Sequence, residues 1–239
     1  MVVLFAALGL LVGALVNWAA DGLPRAGAQG ANPAPERGPA PALAIAAMLL
    51  RLWRRAKPHD AHPLWPRAAV ELLNALWFAY AWASLGASWR ALALALVGAF
   101  LLLISVADLR YQIVPNLLIL PATVVVLLAQ VFPVGAHTLS ALLGGAVALA
   151  LWGLLALIKP GGMGGGDIKL ALFIGLLCGF PLVLWALMLG TLAGALATLI
   201  LLAMHRAQFN RTIPYAPFLC LGALVALALN PSASVLAFL

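Results

Sequence analysis

The chain has 239 residues, 66% of them hydrophobic and only 8% charged, against about 25% charged in an ordinary soluble domain, which excludes a water-soluble fold. A mean hydropathy of +1.13, with about 20 apolar residues needed to cross a bilayer, leaves room for roughly seven or eight spanning helices joined by short loops. The formal net charge of +7 is not a nucleic-acid footprint, because nothing else in the sequence supports DNA binding.

In chain order, the first apolar run starts at Val2 with no Lys or Arg before it and no small-residue cleavage site after it, which predicts an uncleaved span over 2–20. Residues 21–66 are the one substantial soluble segment. Within it, residues 26–41 hold five Ala, three Gly and four Pro, a composition that cannot bury a core and reads as linker. Residues 42–57 read as an interfacial helix, its apolar half followed by Arg51, Trp53, Arg54, Arg55 and Lys57 at headgroup level, with substrate docking as the alternative role. His59 and His62 flank an exposed Asp60 loop and read as solvated side chains rather than metal ligands.

Apolar runs bounded by charge, Pro or Gly predict further spans over 68–87, 91–107, 114–132, 138–158, 168–180, 182–204 and 216–238. The expected fold class is all-α, a polytopic membrane protein with about eight transmembrane helices. Residues 1–66 hold the first helix and its loop, and 67–239 the main membrane domain. The sixth run is short, and Gly179, Phe180 and Pro181 punctuate its end, so a hairpin or tilted half-span is the alternative there.

Alternating loops place Arg25, Arg37, Arg51, Arg54, Arg55, Lys57, Arg67, Arg110, Lys159, Lys169, Arg206 and Arg211 on one face and Arg90 on the other. Lys and Arg collect on the cytoplasmic side of short loops. That face is therefore expected to be cytoplasmic, with both termini across the membrane and the lipid bilayer as the source of the charge bias. Cys178 and Cys220 sit in apolar runs with no Cys-x-x-Cys spacing, so neither a disulfide framework nor a zinc cluster is indicated; both read as small core residues.

The acidic residues are Asp21, Glu36, Asp60, Glu71, Asp108 and Asp167. Three lie in the first loop, and Glu71 falls in the first turn of the predicted second span, where the helix dipole favours a carboxylate and a structural role is expected. Asp108 and Asp167 differ: each lies at the cytoplasmic edge of a span, at one depth. An ionisable group there is costly and marks a functional site, so the two suggest a pair.

Asp167 ends the glycine run within the stretch Lys159-Pro160-Gly161-Gly162-Met163-Gly164-Gly165-Gly166-Asp167-Ile168-Lys169. Glycines allow positive φ and close backbone approach, which suits a site holding an extended peptide beside a carboxylate; the plain alternative is a flexible loop ending in an Asp N-cap. The stretch lacks the Gly-Lys-Ser/Thr ending of a phosphate loop. Two converging carboxylates can hydrolyse a peptide without a metal: like charge raises one pKa, so one group stays protonated and polarises the carbonyl while the other activates water. The titration belongs to the pair. No Ser sits with a nearby His in a span, and His205 stands alone.

Gly164-Gly165-Gly166-Asp167 followed by Ile168-Lys169-Leu170 resembles the GxGD motif of the type IV prepilin peptidases, aspartic proteases of the inner membrane. Asp108-Leu109-Arg110-Tyr111-Gln112-Ile113-Val114-Pro115-Asn116 is similar to their other aspartate motif. Gly13-Ala14-Leu15-Val16-Asn17 with Leu23-Pro24-Arg25, Val70-Glu71-Leu72-Leu73 and Ile213-Pro214-Tyr215-Ala216-Pro217-Phe218 resemble further family signatures. The resemblance implies that Asp108 and Asp167 are the catalytic dyad, that Gly164, Gly166 and Lys169 position motif and substrate, and that 67–239 is the peptidase domain. It also implies that the peptidase needs no cofactor or metal. The implied substrate is a prepilin or pseudopilin whose short basic leader is cut at the cytoplasmic face, typically after a Gly and just before its hydrophobic helix. Small residues such as Gly144, Gly145, Gly190 and Gly194 are expected to make room for that helix.

There is one departure from the family pattern. Many relatives carry two Cys-x-x-Cys pairs in the first cytoplasmic loop and N-methylate the new amino terminus with S-adenosylmethionine; this loop has no cysteine. Zinc is therefore not expected and methyl transfer stays open, although the retained amino-terminal signature argues against a truncated, peptidase-only form. The competing class is a small transporter or channel passing protons or cations along the two aspartates. Against it, the acids share one face and no inverted repeat is visible. A dead homologue acting in assembly is a further alternative, but both acids are retained.

Overall fold

The structure is a computed structural model that describes residues 1–22, 65–131, 136–158, 164–204 and 214–230. The predicted linker 26–41, interfacial helix 42–57, and His59 with His62 lie outside the described residues. The described residues form eight α-helices and no strand: α1 Val2–Gly22, α2 Trp65–Leu85, α3 Trp89–Tyr111, α4 Asn116–Val131, α5 Ala136–Ile158, α6 Gly165–Cys178, α7 Leu182–Ala203 and α8 Ala216–Leu229. Five of these, α1, α2, α3, α5 and α7, are long and apolar enough to cross a membrane. The chain is an all-α polytopic membrane protein. α4 and α8 are shorter apolar helices, and residues 231–238 of the predicted last span lie outside the described residues.

Two compact units divide the chain, Met1–Val106 and Ala107–Leu239. In the first, α1 packs on α2 through glycines. A Cβ on Gly9 would come 2.7 Å from Ala75 Cα, and one on Gly13 would come 2.7 Å from Glu71 Cα. Lipid tails are as apolar as leucine, so helices in a bilayer associate by such close packing and by polar contacts between them. Here Asn17 donates Nδ2 to the Arg67 carbonyl at 3.1 Å, and the Arg67 guanidinium pairs with Asp21 at 2.7 Å. Glu71 is not in the first turn, because α2 begins at Trp65. Pro66 and Arg67 belong to the helix, and Glu71 lies deeper, buried at 1% exposure against α1. Farther along, Trp77 packs on Gly98 and donates Nε1 to the Leu94 carbonyl at 2.9 Å.

In the second unit α6 is the hub, packed against α4, α5, α7 and α8. Leu170, Ala171, Phe173, Ile174, Leu176, Leu177 and Cys178 are all buried, so the helix is apolar on every side, as expected of one surrounded by protein. Its 14 residues reach ~21 Å, short of the ~30 Å of hydrocarbon. The predicted sixth span is therefore too short to cross alone, in keeping with the half-span alternative. Gly179 ends it at φ +70, a conformation that favours glycine. Ser140 of α5 ties down the turn, accepting Phe180 N–H at 2.8 Å and donating its hydroxyl to the Phe180 carbonyl at 2.6 Å.

The glycines expected to make room for a substrate helix instead seat the chain's own helices. Gly144 faces the backbone of Gly175 and Gly179, and Gly145 faces the Leu176 side chain. Gly190 lies against Phe218 and Leu219, and Gly194 against the Tyr215 ring. The closest approaches in this unit, α5 on α6 and α7 on α8, run through them.

Candidate active site

Three short segments meet at one end of the second unit. The first is the last turn of α3 with the residues leading out of it. The helix runs past its predicted end at residue 107 to Tyr111, so Asp108 sits within the final turn, 5% exposed. Gln112 stops the helix with φ +53, and Ile113-Val114-Pro115 leads to α4, whose first turn hangs on the Pro115 carbonyl.

The second segment is the glycine run. Gly164 is the N-cap of α6 at φ −71, ψ 140, extended backbone open to any residue. Among the described residues the positive-φ glycines are Gly86 and Gly179, so the described part of the run does not use left-handed freedom. What it uses is the missing Cβ at one position: an added Cβ on Gly166 would lie 2.8 Å from Val114 Cβ, whereas Gly165 faces open space. Asp167 is not the N-cap but the third residue of the helix, and its carboxylate accepts the Gly164 backbone N–H. This is the reach-back half of a capping box.

The third segment opens α8. Tyr215 is its N-cap and Pro217 lies in its first turn, a position that suits proline because the missing N–H would be unpaired there. Ala216 N–H donates to Asp108 Oδ2 at 3.1 Å. The Tyr215 ring rests on Gly194, where an added Cβ would lie 3.0 Å from Cε2.

Electrostatics tie these segments together. Burial, and then the charge of Asp108, push the Asp167 carboxyl up from 3.8 to about 6, with the Gly164 N–H pulling the other way. Burial and the Asp167 charge raise the Tyr215 phenol. Of the residues singled out in the sequence, Asp108 and Asp167 thus come within electrostatic reach of each other. Gly166 clamps the two aspartate segments, and Gly164 supplies an N–H to Asp167. Lys169 donates Nζ to Asn116 Oδ1 at 2.7 Å, latching the N-terminal part of α6 to the first turn of α4. Glu71 belongs to the first unit. Asn116, Tyr215 and the Ala216 amide join the site without having been assigned a role from sequence. The Pro214 and Pro217 pair flagged a helix start at Ala216, but a backbone N–H has no residue signature.

The Lys169–Asn116 latch is solvent-exposed, so its worth is modest, on the order of other exposed polar pairs. Asn116→Ala and Lys169→Ala should each slow turnover only a few-fold, and the double variant should be no worse than the poorer single one. Fully additive losses in a double-mutant cycle would show that the two side chains act separately.

Residues 95–199 match the sequence model of the type IV leader peptidase family. Curated relatives named "Prepilin leader peptidase/N-methyltransferase" include those of Pseudomonas aeruginosa, 33% identical over 132 residues, 53% of this chain and 46% of the relative, and of Stutzerimonas stutzeri, 34% identical over 132 residues with the same coverage. A Bacillus subtilis relative of the same name is 27% identical over 128 residues, 54% of this chain and 52% of its own. The matches thus span about half the length of these relatives. No solved structure matches the chain. The matched segment contains both aspartates and the glycine run between α5 and α6.

Proposed function

We propose that the chain is an aspartic endopeptidase that removes the leader of type IV prepilins or pseudopilins at the cytoplasmic face of the inner membrane, with Asp108 and Asp167 as its dyad. The observation that carries this is electrostatic: two carboxyls far apart in sequence come within electrostatic reach of each other, and burial first, then the charge of Asp108, raises Asp167. The names of the relatives support the substrate class, and the Lys/Arg bias of the loops supports the membrane face. A prepilin helix embedded in the bilayer would present its leader junction at the depth of the two acids.

In the reaction, the ionised carboxylate takes a proton from water as the water oxygen bonds to the scissile carbonyl carbon. The carbonyl π pair moves to oxygen, which takes the proton of the other carboxyl. The tetrahedral diol then collapses: the C–N bond breaks, the leaving nitrogen takes the proton just acquired from water, and the diol returns a proton to the second carboxyl. Both groups end as they began.

Wild-type membranes mixed with a prepilin should yield a leader-sized mobility shift on a gel, and no shift would refute the assignment. The pH profile depends on Asp167. Its carboxyl is neutral below and ionised above about 6, so the dyad loses its last proton there, and cleavage should fall as pH rises from 6 to 8. A rate still climbing over that range would contradict a shared proton.

Only cleavage is assigned. In the first unit the buried polar groups Asn17, Glu71 and Asn74 are 5%, 1% and 0% exposed, with the Gly13 backbone pressed onto Glu71. Among the described residues these groups are packed between helices, and no methyl-transfer step is derived from them. The mass of the new amino terminus reports whether a methyl group is added.

A further inference from the structure

The two carboxyls of the candidate dyad are chemically alike but differently held, and the difference says which one carries the proton. We propose that the backbone N–H of Ala216, in the first turn of α8, holds Asp108 as the ionised member that takes the proton of water, leaving Asp167 to protonate the scissile carbonyl oxygen. This rests on the peptidase function proposed above and deepens it by dividing the labour within the pair.

Asp108 is 5% exposed and Ala216 is 0% exposed. Water therefore cannot stand in for the bond between Ala216 N–H and Asp108 Oδ2, 3.1 Å long. Among the described residues it is the hydrogen bond that this carboxylate makes. Ala216 is the first residue of α8, so its N–H is one of the four that a helix leaves unpaired. It points out of the positive end of the helix dipole, where a negative charge is favoured. The bond comes from a separate helix, 108 positions away along the chain, and α8 is itself seated by Gly190 and Gly194 of α7. Asp167 is held differently: its N–H partner is the cap of its own helix, and burial, then the charge of Asp108, stand against its ionisation. One acid is thus held charged by a neighbouring helix, and that charge adds to burial in keeping the proton on the other.

The titratable groups on elements packed around this point are few. Asp167 and Lys169 come from the start of α6 and Tyr215 from the start of α8, with the thiols of Cys178 and Cys220 farther along those helices, while Arg110 and Tyr111 lie just after Asp108 on its own helix. α4, α7 and α5 from Thr138 onward carry none.

The test removes the N–H and keeps the side chain. Incorporating the α-hydroxy analogue of alanine at position 216 by nonsense suppression replaces the amide with an ester and keeps the side chain. This N–H bonds no helical carbonyl, but the ester also weakens the Tyr215 carbonyl, which accepts from Phe218 and Leu219 in the first turn of α8, and the control must carry a loss at that same carbonyl. The control is the same ester at Phe218, whose N–H bonds the Tyr215 carbonyl at 3.1 Å and not an aspartate. With the full chain in membranes and a prepilin, the low-pH limb of the cleavage profile should move up by roughly one to two pH units in the Ala216 ester and stay in place in the Phe218 ester. A low-pH limb that coincides with wild type, or an equal shift in both esters, overturns the proposal. Asp108→Asn and Asp167→Asn are run alongside. If both are inactive and the limb does not move, only this division of labour fails; if either cleaves, the peptidase assignment fails with it.

Discussion

Asp108→Asn and Asp167→Asn are each expected to lower leader cleavage by about 10²–10⁴-fold, to the background of the gel assay, while Asp60→Asn leaves it intact. Asparagine keeps the shape of each side chain. At position 108 its carbonyl oxygen can still accept the Ala216 N–H, so the fold should be retained and the loss confined to proton transfer. Because the two groups share one proton, the double variant should be no slower than either single one; groups that act as a unit do not add. Cleavage surviving either substitution would remove that aspartate from the dyad.

The second large effect separates two adjacent glycines by the same chemical change. Gly165→Ala adds a methyl to open space, and alanine is the better helix former by up to about 1 kcal/mol, so activity and thermal stability should hold or rise. Gly166→Ala drives its methyl to 2.8 Å from Val114 Cβ, an atom rooted in the backbone of the segment after Asp108. Either segment must move, and the two carboxyls move apart with it. Misplacement by about 1 Å can cost on the order of 10²-fold in rate. Cleavage should therefore collapse in Gly166→Ala and persist in Gly165→Ala. Equal rates in the two variants would mean that the glycine run does not set the spacing of the acids.

Much of the fold was legible because each helix is an apolar run stopped by charge, proline or glycine. The α6 boundary could be read from Gly179, whose φ of +70 is the physical content of that signal. The start of α2 was less legible. Arg67 reads as a loop charge, but its guanidinium pairs with Asp21 of α1, so the helix begins earlier and Glu71 moves out of the first turn. The same limit applied to the small residues of α5 and α7. Sequence says that a glycine permits close approach, not which partner approaches, and the partners here are α6 and α8.

At the site, the two aspartates stood out because so few acids exist in an apolar chain, and each carries a local motif. What held them was not visible. The motif singles out Gly166, with Gly164, as a positioning residue, but its contact with Val114, 52 positions away, could not be read from sequence. Lys169 is expected to position motif and substrate, and its partner Asn116 is known only once α4 and α6 are side by side. The Ala216 N–H is a backbone group in a stretch marked only by its prolines. Long-range geometry of this kind comes from packing, and periodicity cannot supply it.

The titration of Asp167 in the presence and absence of its neighbour's charge tests the pairing itself. Infrared difference spectroscopy of the protonated carboxyl band should place Asp167 near 6 in the wild-type chain. In Asp108→Asn burial still raises it, but the neighbouring charge that adds to burial is gone, so its midpoint should fall part of the way toward the ordinary carboxylate range. A midpoint that stays where it was would mean the two acids do not share a proton.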